Sequence, residues 1–259
     1  MTPGRIGPIP YRLLLAGGWI DQPFVNEHDP SPPGSMVVVS LEPDRLYMER
    51  AGMATSSRKV AARLWPTGLP EDVPREELVR LLYEEENRGR AEPSGSQDMI
   101  GLIHPGISRL DYDHAHDGGV FPAHVESCVD AEIAAWLTRV IHVLPVAPRP
   151  DGYDTLGDRR VSPEWVRRLG RSGADCFDAI LAGDVRALGD TVNECMRCWE
   201  AMLPRSFVHP VLTADWPGLL DRYQAKYEGA MASASGGGYL YVITEREVPG
   251  TFHPSIRLS

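Results

Sequence analysis

Short apolar runs and stretches with helical periodicity alternate along the chain. The first run, in "YRLLLAGGWIDQP" (11–23), ends at Gly17 and Gly18, and Asp21 follows shortly after them. An apolar strand that stops at a flexible glycine bend is expected to present this carboxylate, exposed in a loop, to whatever lies above it. β-Branched or alternating apolar residues predict three further strands, at 36–43, 139–148 and 239–244.

Apolar residues three or four positions apart predict helices between and after these strands. The predicted helical segments are 51–65, which opens with a small-residue loop, 74–90, the later part of 92–106, 123–137, 163–183, 184–203 and 214–228. The stretch 145–163 is rich in proline, glycine and charge, which is typical of a linker or a long loop. The pattern therefore predicts a mixed α+β chain, with an N-terminal lobe at 1–144 and a C-terminal lobe at 145–259.

The composition limits the kinds of partner. The 259 residues are 42% hydrophobic, and their net charge of −10 argues against nucleic acid or an anionic membrane surface as the main partner. No apolar run approaches the roughly 20 residues that span a bilayer, and the first residues lack the basic and apolar pattern of a secretory signal. We therefore expect a cytoplasmic protein that acts on a small molecule, and a homodimer is left open.

Two clusters suggest metal chemistry, and both have an ordinary alternative. Cys195 and Cys198 form a CxxC pair, typical of zinc or redox sites, but the surrounding pattern is helical and no second CxxC completes a four-ligand site. Two reduced thiols on a helix are the simpler interpretation. The run "DYDHAHDGG" (111–119) could bind a transition metal or form a solvated turn. The motifs GxSxG, GxxxxGK[ST] and HExxH do not occur, so serine hydrolases, P-loop proteins and zincins lack their signatures.

Four motifs follow one another in an order that resembles a known family. They are "YRLLLAGGWIDQP" (11–23), "GMATSSRKVAARL" (52–64), "SGSQDMIG" (94–101) and "SASGGGYLYVIT" (233–244). This series resembles that of the GHMP small-molecule kinases, such as galactokinase and mevalonate kinase, and is most similar to the heptose and fucose kinase branch. The resemblance implies a two-lobed GHMP kinase-like fold, with a ribosomal-protein-S5-like N-terminal lobe and a ferredoxin-like C-terminal lobe. It also implies transfer of the γ-phosphate of ATP, with Mg²⁺, to a hydroxyl of a sugar or sugar-like polyol.

Two of these motifs are implied to bind the nucleotide. Small residues that enter a helix offer backbone N–H groups and the positive end of the helix dipole to phosphates. The resemblance assigns this role to Gly52, Thr55, Ser56 and Ser57, although Ala54 stands where the family has a glycine; an ordinary helix cap is the alternative. The glycine-rich turn contributes the other three nucleotide-binding residues, which are Gly236, Gly237 and Gly238. That turn could also serve only to reverse the chain.

The catalytic and metal-binding residues are also implied by the resemblance. Asp98 matches the acid that accepts or orients the acceptor's hydroxyl proton, and a helix-capping aspartate is its alternative. Arg12 matches a strand arginine that steadies the transferring charge, or it could simply pair with a neighbouring carboxylate. Ser57 and Glu86 would supply oxygen ligands to magnesium, although Glu84 or Glu85 could replace Glu86.

The substrate-binding residues are expected around the first motif. Asp21 matches the acid that accepts hydrogen bonds from substrate hydroxyls, held in place by Gly17 and Gly18, and Arg149 is a candidate for a polar or phosphorylated substrate. The family normally has some fifty residues between the first strand and the phosphate loop, and they help to build the wall around the nucleotide base. Here "LEPDRLYMER" (41–50) is nearly all that remains. ATP is therefore held loosely, held by other residues, or not used.

Two alternatives to a kinase stay open at this point. One is a descendant of the family that binds a ligand or regulates a partner and has lost phosphoryl transfer. The other is a different enzyme that uses Asp21 and Asp98 as a carboxylate pair on a carbohydrate.

Overall fold

The first half of the chain builds a four-stranded antiparallel sheet. The computed structural model describes residues 7–90 and 93–259. The start of the predicted first lobe and the first residue of the predicted segment 92–106 lie outside them. The strands are β1 (Tyr11–Ala16), β2 (Gly34–Leu41), β3 (Ile107–Tyr112) and β4 (His124–Cys128), in the order β1-β2-β3-β4. Every residue of β1 and β2 is buried, so elements cover both faces of this part of the sheet.

Five α-helices lie in the described part of this half. They are α1 (Pro23–Asn26), α2 (Thr55–Leu64), α3 (Arg75–Asn87), α4 (Gln97–Ile103) and α5 (Ala131–Val140). Only the residues 42–54 connect β2 to α2, as the sequence predicts. Helices α2, α3 and α4 pack on one another, and α4 also packs on β1 and β2. This packing places the start of α4 beside Arg12, near the beginning of β1.

The second half forms a three-stranded antiparallel sheet with three helices. The strands β5 (Ile141–Ala147), β6 (Gly229–Ala232) and β7 (Gly238–Ile243) lie in the order β5-β7-β6. The helices are α6 (Pro163–Ala182), α7 (Val185–Met202) and α8 (Trp216–Gln224). Among the helices of the described residues, none combines the length and apolar character that crossing a membrane requires.

Helix α6 joins the two halves by packing closely on β2. A Cβ atom on Gly170 would lie 2.7 Å from the Cα of Gly34, and one on Gly173 would clash with the carbonyl of Ser35. Larger side chains at these two positions would push the helix away from the strand. The predicted boundary after residue 144 stays a prediction.

The mixed α+β content is confirmed, and three strands were missed. The segment 123–137, predicted as one helix, is β4 followed by α5, which Asp130 caps through bonds to the backbone N–H groups of Glu132 and Ile133 (2.8 and 3.0 Å). Strand β4 is short and mostly exposed, and it forms by pairing with β3, which local periodicity does not reveal. Strands β3 and β6 were missed as well. The predicted loop is confirmed between β5 and α6.

Candidate active site

A cleft of about 790 Å³ lies where the two halves meet, and it brings together residues from distant parts of the sequence. Of the residues predicted for the site, those that line it are Arg12, Asp21, Gly52, Thr55, Ser56, Asp98 and Arg149. Ser57 is buried beneath the loop, with no exposed surface. The cleft is therefore the candidate active site.

Arg12 and Asp98 form an ion pair at the cleft. Arg12 lies on β1 and is 4% exposed; one guanidinium nitrogen contacts Asp98, and the other donates to the carbonyl of Gly52 at 3.3 Å. Burial lowers the pKa of Arg12 to about 10, so the group stays charged at neutral pH. Ser57 Oγ donates to the second oxygen of Asp98 at 3.4 Å. Three predicted residues thus meet from β1, α2 and α4.

The close approach of α4 to β1 depends on Gly101. This glycine lies inside α4, and a Cβ atom there would clash with Cγ of Arg12. The helix can therefore lie against the arginine side chain and place Asp98, in its first turn, next to the guanidinium. The sequence motif contains this glycine, but its function is visible only in the structure.

The loop before α2 has the features of a phosphate site. Gly52 has a left-handed backbone (φ 75°), and a Cβ atom there would clash with the carbonyl of Ser233. Ala54, where the family has a glycine, also has a positive φ of 53°. No side chain caps α2, so the N–H groups of its first turn are available to an anion. The backbone therefore fits a phosphate group.

The three glycines of the later turn lie behind the cleft wall. Side chains at Gly236, Gly237 and Gly238 would clash with the Tyr153 ring, the backbone of Arg149 and the carbonyl of Ala51. They allow the loop before α2 and the loop after β5 to pack against the turn. The residues of this motif that line the cleft are those just before the glycines, 233–235. Sequence reasoning missed them, although they stand in the same motif; a nucleotide role for the glycines stays a prediction.

Asp21 lies in the cleft wall, but it is buried rather than exposed as expected. Its exposure is 2%, and its Oδ2 atom has no hydrogen-bond partner. The loop at Gly95 covers it, since a Cβ there would clash with the carboxylate. Burial raises the pKa of Asp21 to about 6, against the lowering effect of the Arg12 charge. A buried oxygen without a partner is suited to receive a ligand's hydroxyl.

Gly17 and Gly18 shape the turn before Asp21 without lining the cleft. Gly17 has a left-handed backbone (φ 74°) and lies against the carbonyl of Ser35. A side chain on Gly18 would lie 2.6 Å from Leu14 and from the Trp199 ring, and the Trp199 indole N–H donates to the Gly18 carbonyl at 3.0 Å. Their contribution in the structure is to the position of Asp21, and a direct substrate contact stays a prediction.

Two sets of residues on the cleft wall are distinguished by their side chains. We call one the aromatic group: Leu14, Trp19, Asp21, Phe24 and Trp199. The rings of Trp19 and Phe24 lie 6.3 Å apart, and those of Trp19 and Trp199 lie 6.4 Å apart, nearly perpendicular. Sequence reasoning missed this wall. Trp19 and Phe24 flank Asp21 in the chain and were a usable signal, whereas nothing local connects Trp199 to them.

The second set, the loop group, is polar. It consists of Glu49, Arg50, Thr55, Ser56, Lys59 and Arg149. The Arg149 backbone N–H donates to the Arg50 carbonyl at 3.0 Å, the Arg50 N–H donates to Thr55 Oγ1 at 3.3 Å, and Lys59 pairs with Glu49 at 2.8 Å. Arg149 therefore lies beside the loop before α2, and its contact with a substrate stays a prediction.

The predicted magnesium ligands are buried oxygen donors. Glu86 has a side chain that is 2% exposed, with one oxygen 3.5 Å from Arg90 and the other, Oε2, without a partner. Such hard oxygens fit Mg²⁺. Within residues 7–90 and 93–259, no group of three or more His, Cys, Asp or Glu could hold a metal ion alone. Ser57 and Glu86 do not line the cleft, so their role as magnesium ligands stays a prediction, and it would need further oxygens such as those of phosphates.

The two metal-like clusters of the sequence have other contacts. Cys195 and Cys198 lie on the buried face of α7, and burial raises the pKa of both thiols. In the segment 111–119, His114 contacts Asn26 (3.0 Å) and Asp117 contacts Arg80 (2.7 Å).

Comparison with known proteins finds similarity in structure alone. No protein-family model matches the chain, and no curated protein matches it in sequence. A Campylobacter jejuni protein assigned as a sugar kinase superposes with a TM-score of 0.60 at 12% identity, covering 97% of this chain and 95% of that one. A D-glycero-D-manno-heptose 1-phosphate kinase from Bacteroides thetaiotaomicron gives 0.54 at 15% identity (92% and 87%). Lactococcus lactis galactokinase, solved with galactose, gives 0.51 at 12% (92% and 84%).

These neighbours cover nearly the whole chain. At identities this low, the structural similarity establishes the architecture alone. Activity and substrate have to be argued from the site. The chain has the fold of the GHMP kinase superfamily.

Proposed function

We propose that this protein is a kinase that transfers the γ-phosphate of ATP to a hydroxyl of a sugar or sugar-like polyol. The observation that carries the proposal is the ion pair of Arg12 and Asp98, which lies in the cleft beside the uncapped start of α2. A carboxylate, a buried guanidinium and free backbone N–H groups are the parts that phosphoryl transfer needs, because it depends on positioning and charge stabilisation. The fold shared with sugar and mevalonate kinases supports the same conclusion.

Asp98 is the catalytic base in this proposal. When bound, ATP with magnesium supplies the phosphoryl group and leaves as ADP. Asp98 accepts the proton of the acceptor hydroxyl, and Arg12 and Ser57 hold the carboxylate in position through their contacts to its two oxygens. The charge of Arg12 also stabilises negative charge on the transferred group.

The nucleotide phosphates would lie at the loop before α2. Gly52, Thr55 and Ser56 would hold them through backbone N–H groups and hydroxyls, with the turn at 236–238 packed behind. Ser57 and Glu86 would share the magnesium ion with phosphate oxygens.

The acceptor would lie against the aromatic group. Asp21 would accept hydroxyl hydrogen bonds through its unpartnered oxygen, and the apolar face of a sugar ring would pack on Trp19. Losing Asp21 should therefore weaken acceptor binding at least tenfold, or about 1.4 kcal/mol.

The test is an ADP-release assay with Mg·ATP and a panel of hexoses, heptoses, amino sugars and cyclitols. Asp98→Asn keeps the shape and removes the proton acceptor, so turnover should fall by about 10²-fold or more while ATP still raises the melting temperature. Asp221→Asn, on the exposed surface of α8, is the matched control and should behave as the parent.

Two outcomes would contradict the proposal. ADP release unchanged in Asp98→Asn would remove Asp98 from the mechanism. ATP binding without ADP release, for every acceptor in the panel, would favour the alternative of a ligand-binding or regulatory protein.

A further inference from the structure

The loop group lacks the apolar surfaces that a nucleotide base needs. Sites that select a planar ligand bury it between hydrophobic or aromatic walls with a few placed polar groups. The six side chains of the loop group are charged or carry hydroxyls, and Ala54 and Ala234 beside them contribute only methyl groups. A base here would meet ion pairs rather than a ring or an aliphatic wall.

The short connection between β2 and α2 explains this lack. Its one large aromatic residue, Tyr47, is 6% exposed and packs inward on Tyr11, Tyr239 and Phe252, with ring centroids 4.7, 6.0 and 6.0 Å away. The next residue, Met48, is fixed by a 2.6 Å bond from its N–H to the Tyr239 hydroxyl. The segment therefore supports the core and contributes no aromatic side chain to the loop group.

The aromatic rings that line the cleft among the described residues are all in the aromatic group, around Asp21. Trp19 contacts both Phe24 and Trp199 there. A base bound to them would occupy the place of the acceptor, so the two ligands of a kinase could not bind together.

The loop group supplies positive charge instead of apolar surface. Arg50, Lys59 and Arg149 line it, with Arg50 paired to Asp151 and Lys59 to Glu49. Among the described residues, the other cations of the cleft are Arg12, Arg90 and Arg159, and Arg159 lies over the Phe24 ring at 4.7 Å. Arg149 is held by the Ser235 carbonyl (2.9 Å) and lies over the Tyr153 ring (5.7 Å). Charge-assisted hydrogen bonds from such groups to phosphate are strong and do not depend on the base.

We propose that the site recognises its phosphoryl donor through the phosphate chain, so that nucleoside triphosphates of any base serve. The inference rests on the proposed kinase function and deepens it by naming how the donor is selected. Free triphosphate chains and nucleotides share the recognised chemistry, and the experiment separates them.

The test is calorimetric titration of the whole protein with the magnesium complexes of ATP, GTP, CTP, UTP and inorganic tripolyphosphate. The five dissociation constants should agree within about threefold. Lys59→Ala and Arg149→Ala should each weaken all five by a similar factor of about five or more. Arg63→Ala, exposed on α2 and outside the cleft, is the matched control and should change none.

Each other outcome decides against the inference in a recognisable way. ATP binding at least tenfold tighter than UTP and tripolyphosphate would overturn it and leave the proposed kinase standing. Nucleotides that bind while tripolyphosphate does not would show that the nucleoside is required and would also overturn it. No binding by any of the five would contradict the kinase function itself.

Discussion

At the scale of single residues, Asp21 combines burial with an oxygen that has no partner. Burying a carboxylate penalises its charged form, and here the Arg12 charge offsets only part of that penalty. The pKa rises from the ordinary 3.8 to about 6. The ionised Asp21 therefore destabilises the folded protein at neutral pH. A hydrogen bond from a hydroxyl of the phosphoryl acceptor would reduce this penalty.

The raised pKa of Asp21 gives a pH dependence of defined sign. The folded state binds the proton more tightly than the unfolded state, so this contribution to stability is present below about pH 4 and is lost as pH rises to about 6. Two pKa units correspond to roughly 2–3 kcal/mol. Asp21→Asn should lack this loss. In urea unfolding at pH 4–8, the free energy of unfolding of the variant should therefore rise relative to that of the parent between about pH 4 and 6, and the difference should then stay constant.

Asp221→Asn is the control for that measurement and should follow the parent at every pH, because its side chain is exposed. A stability difference between Asp21→Asn and the parent that does not change from pH 4 to pH 7 would contradict the assigned pKa.

At the scale of elements, α4 carries the catalytic geometry, since it must lie against β1 for Asp98 to reach Arg12. Intrinsic propensity favours alanine over glycine inside a helix by about 1 kcal/mol. At Gly101, however, the added Cβ would clash with the Arg12 side chain. Packing and propensity therefore oppose each other at this position, and overpacking a dense interior costs about 1–3 kcal/mol.

Gly101→Ala should accordingly destabilise the protein and separate Arg12 from Asp98. We expect the melting temperature to fall and ADP release to drop at least tenfold, measured beside circular dichroism to check that the fold persists. A variant that is more stable and fully active would show that propensity decides at this position and that the close approach is dispensable.

At the scale of the whole molecule, the segment 251–257 ties the two sheets together. Phe252 forms a bridge with Val143 of β5, and Ile256 forms one with Leu41 of β2. Arg257 donates to Ser40 Oγ (3.0 Å) and to the Leu102 and Ile103 carbonyls at the end of α4 (3.3 and 2.8 Å). One segment thus holds β5, β2 and the helix that carries Asp98.

Arg257→Ala should cost about 1–3 kcal/mol, because it leaves partly buried carbonyls of α4 without a donor. Chemical unfolding followed by tryptophan fluorescence would measure the loss, with Arg167→Ala on the exposed face of α6 as the matched control. Equal stability of the two variants would contradict a tying role for this segment.

Much of the site could be predicted from the sequence because its motifs are local. The small-residue loop before α2, Asp98 at the start of α4 and Arg12 on β1 each stand in a short pattern, and the structure brings the three together. The aromatic group could not be predicted in this way. Trp199 is 180 positions from Trp19, and no periodicity within α7 indicates which surface it covers.

The sequence alone determined where most helices and the strands with the strongest apolar pattern form. Apolar periodicity depends only on the residues of a single segment. For this reason it predicted α6, α7, β1, β2 and β7. Tertiary structure alone decided the strands that form by pairing, β3, β4 and β6, and the burial of Asp21. These depend on segments brought together from far apart in the chain, whose contacts outweigh local preference. A carboxylate in a glycine-bounded turn is an exposed loop acid by sequence, and the loop that folds over it makes it a buried one.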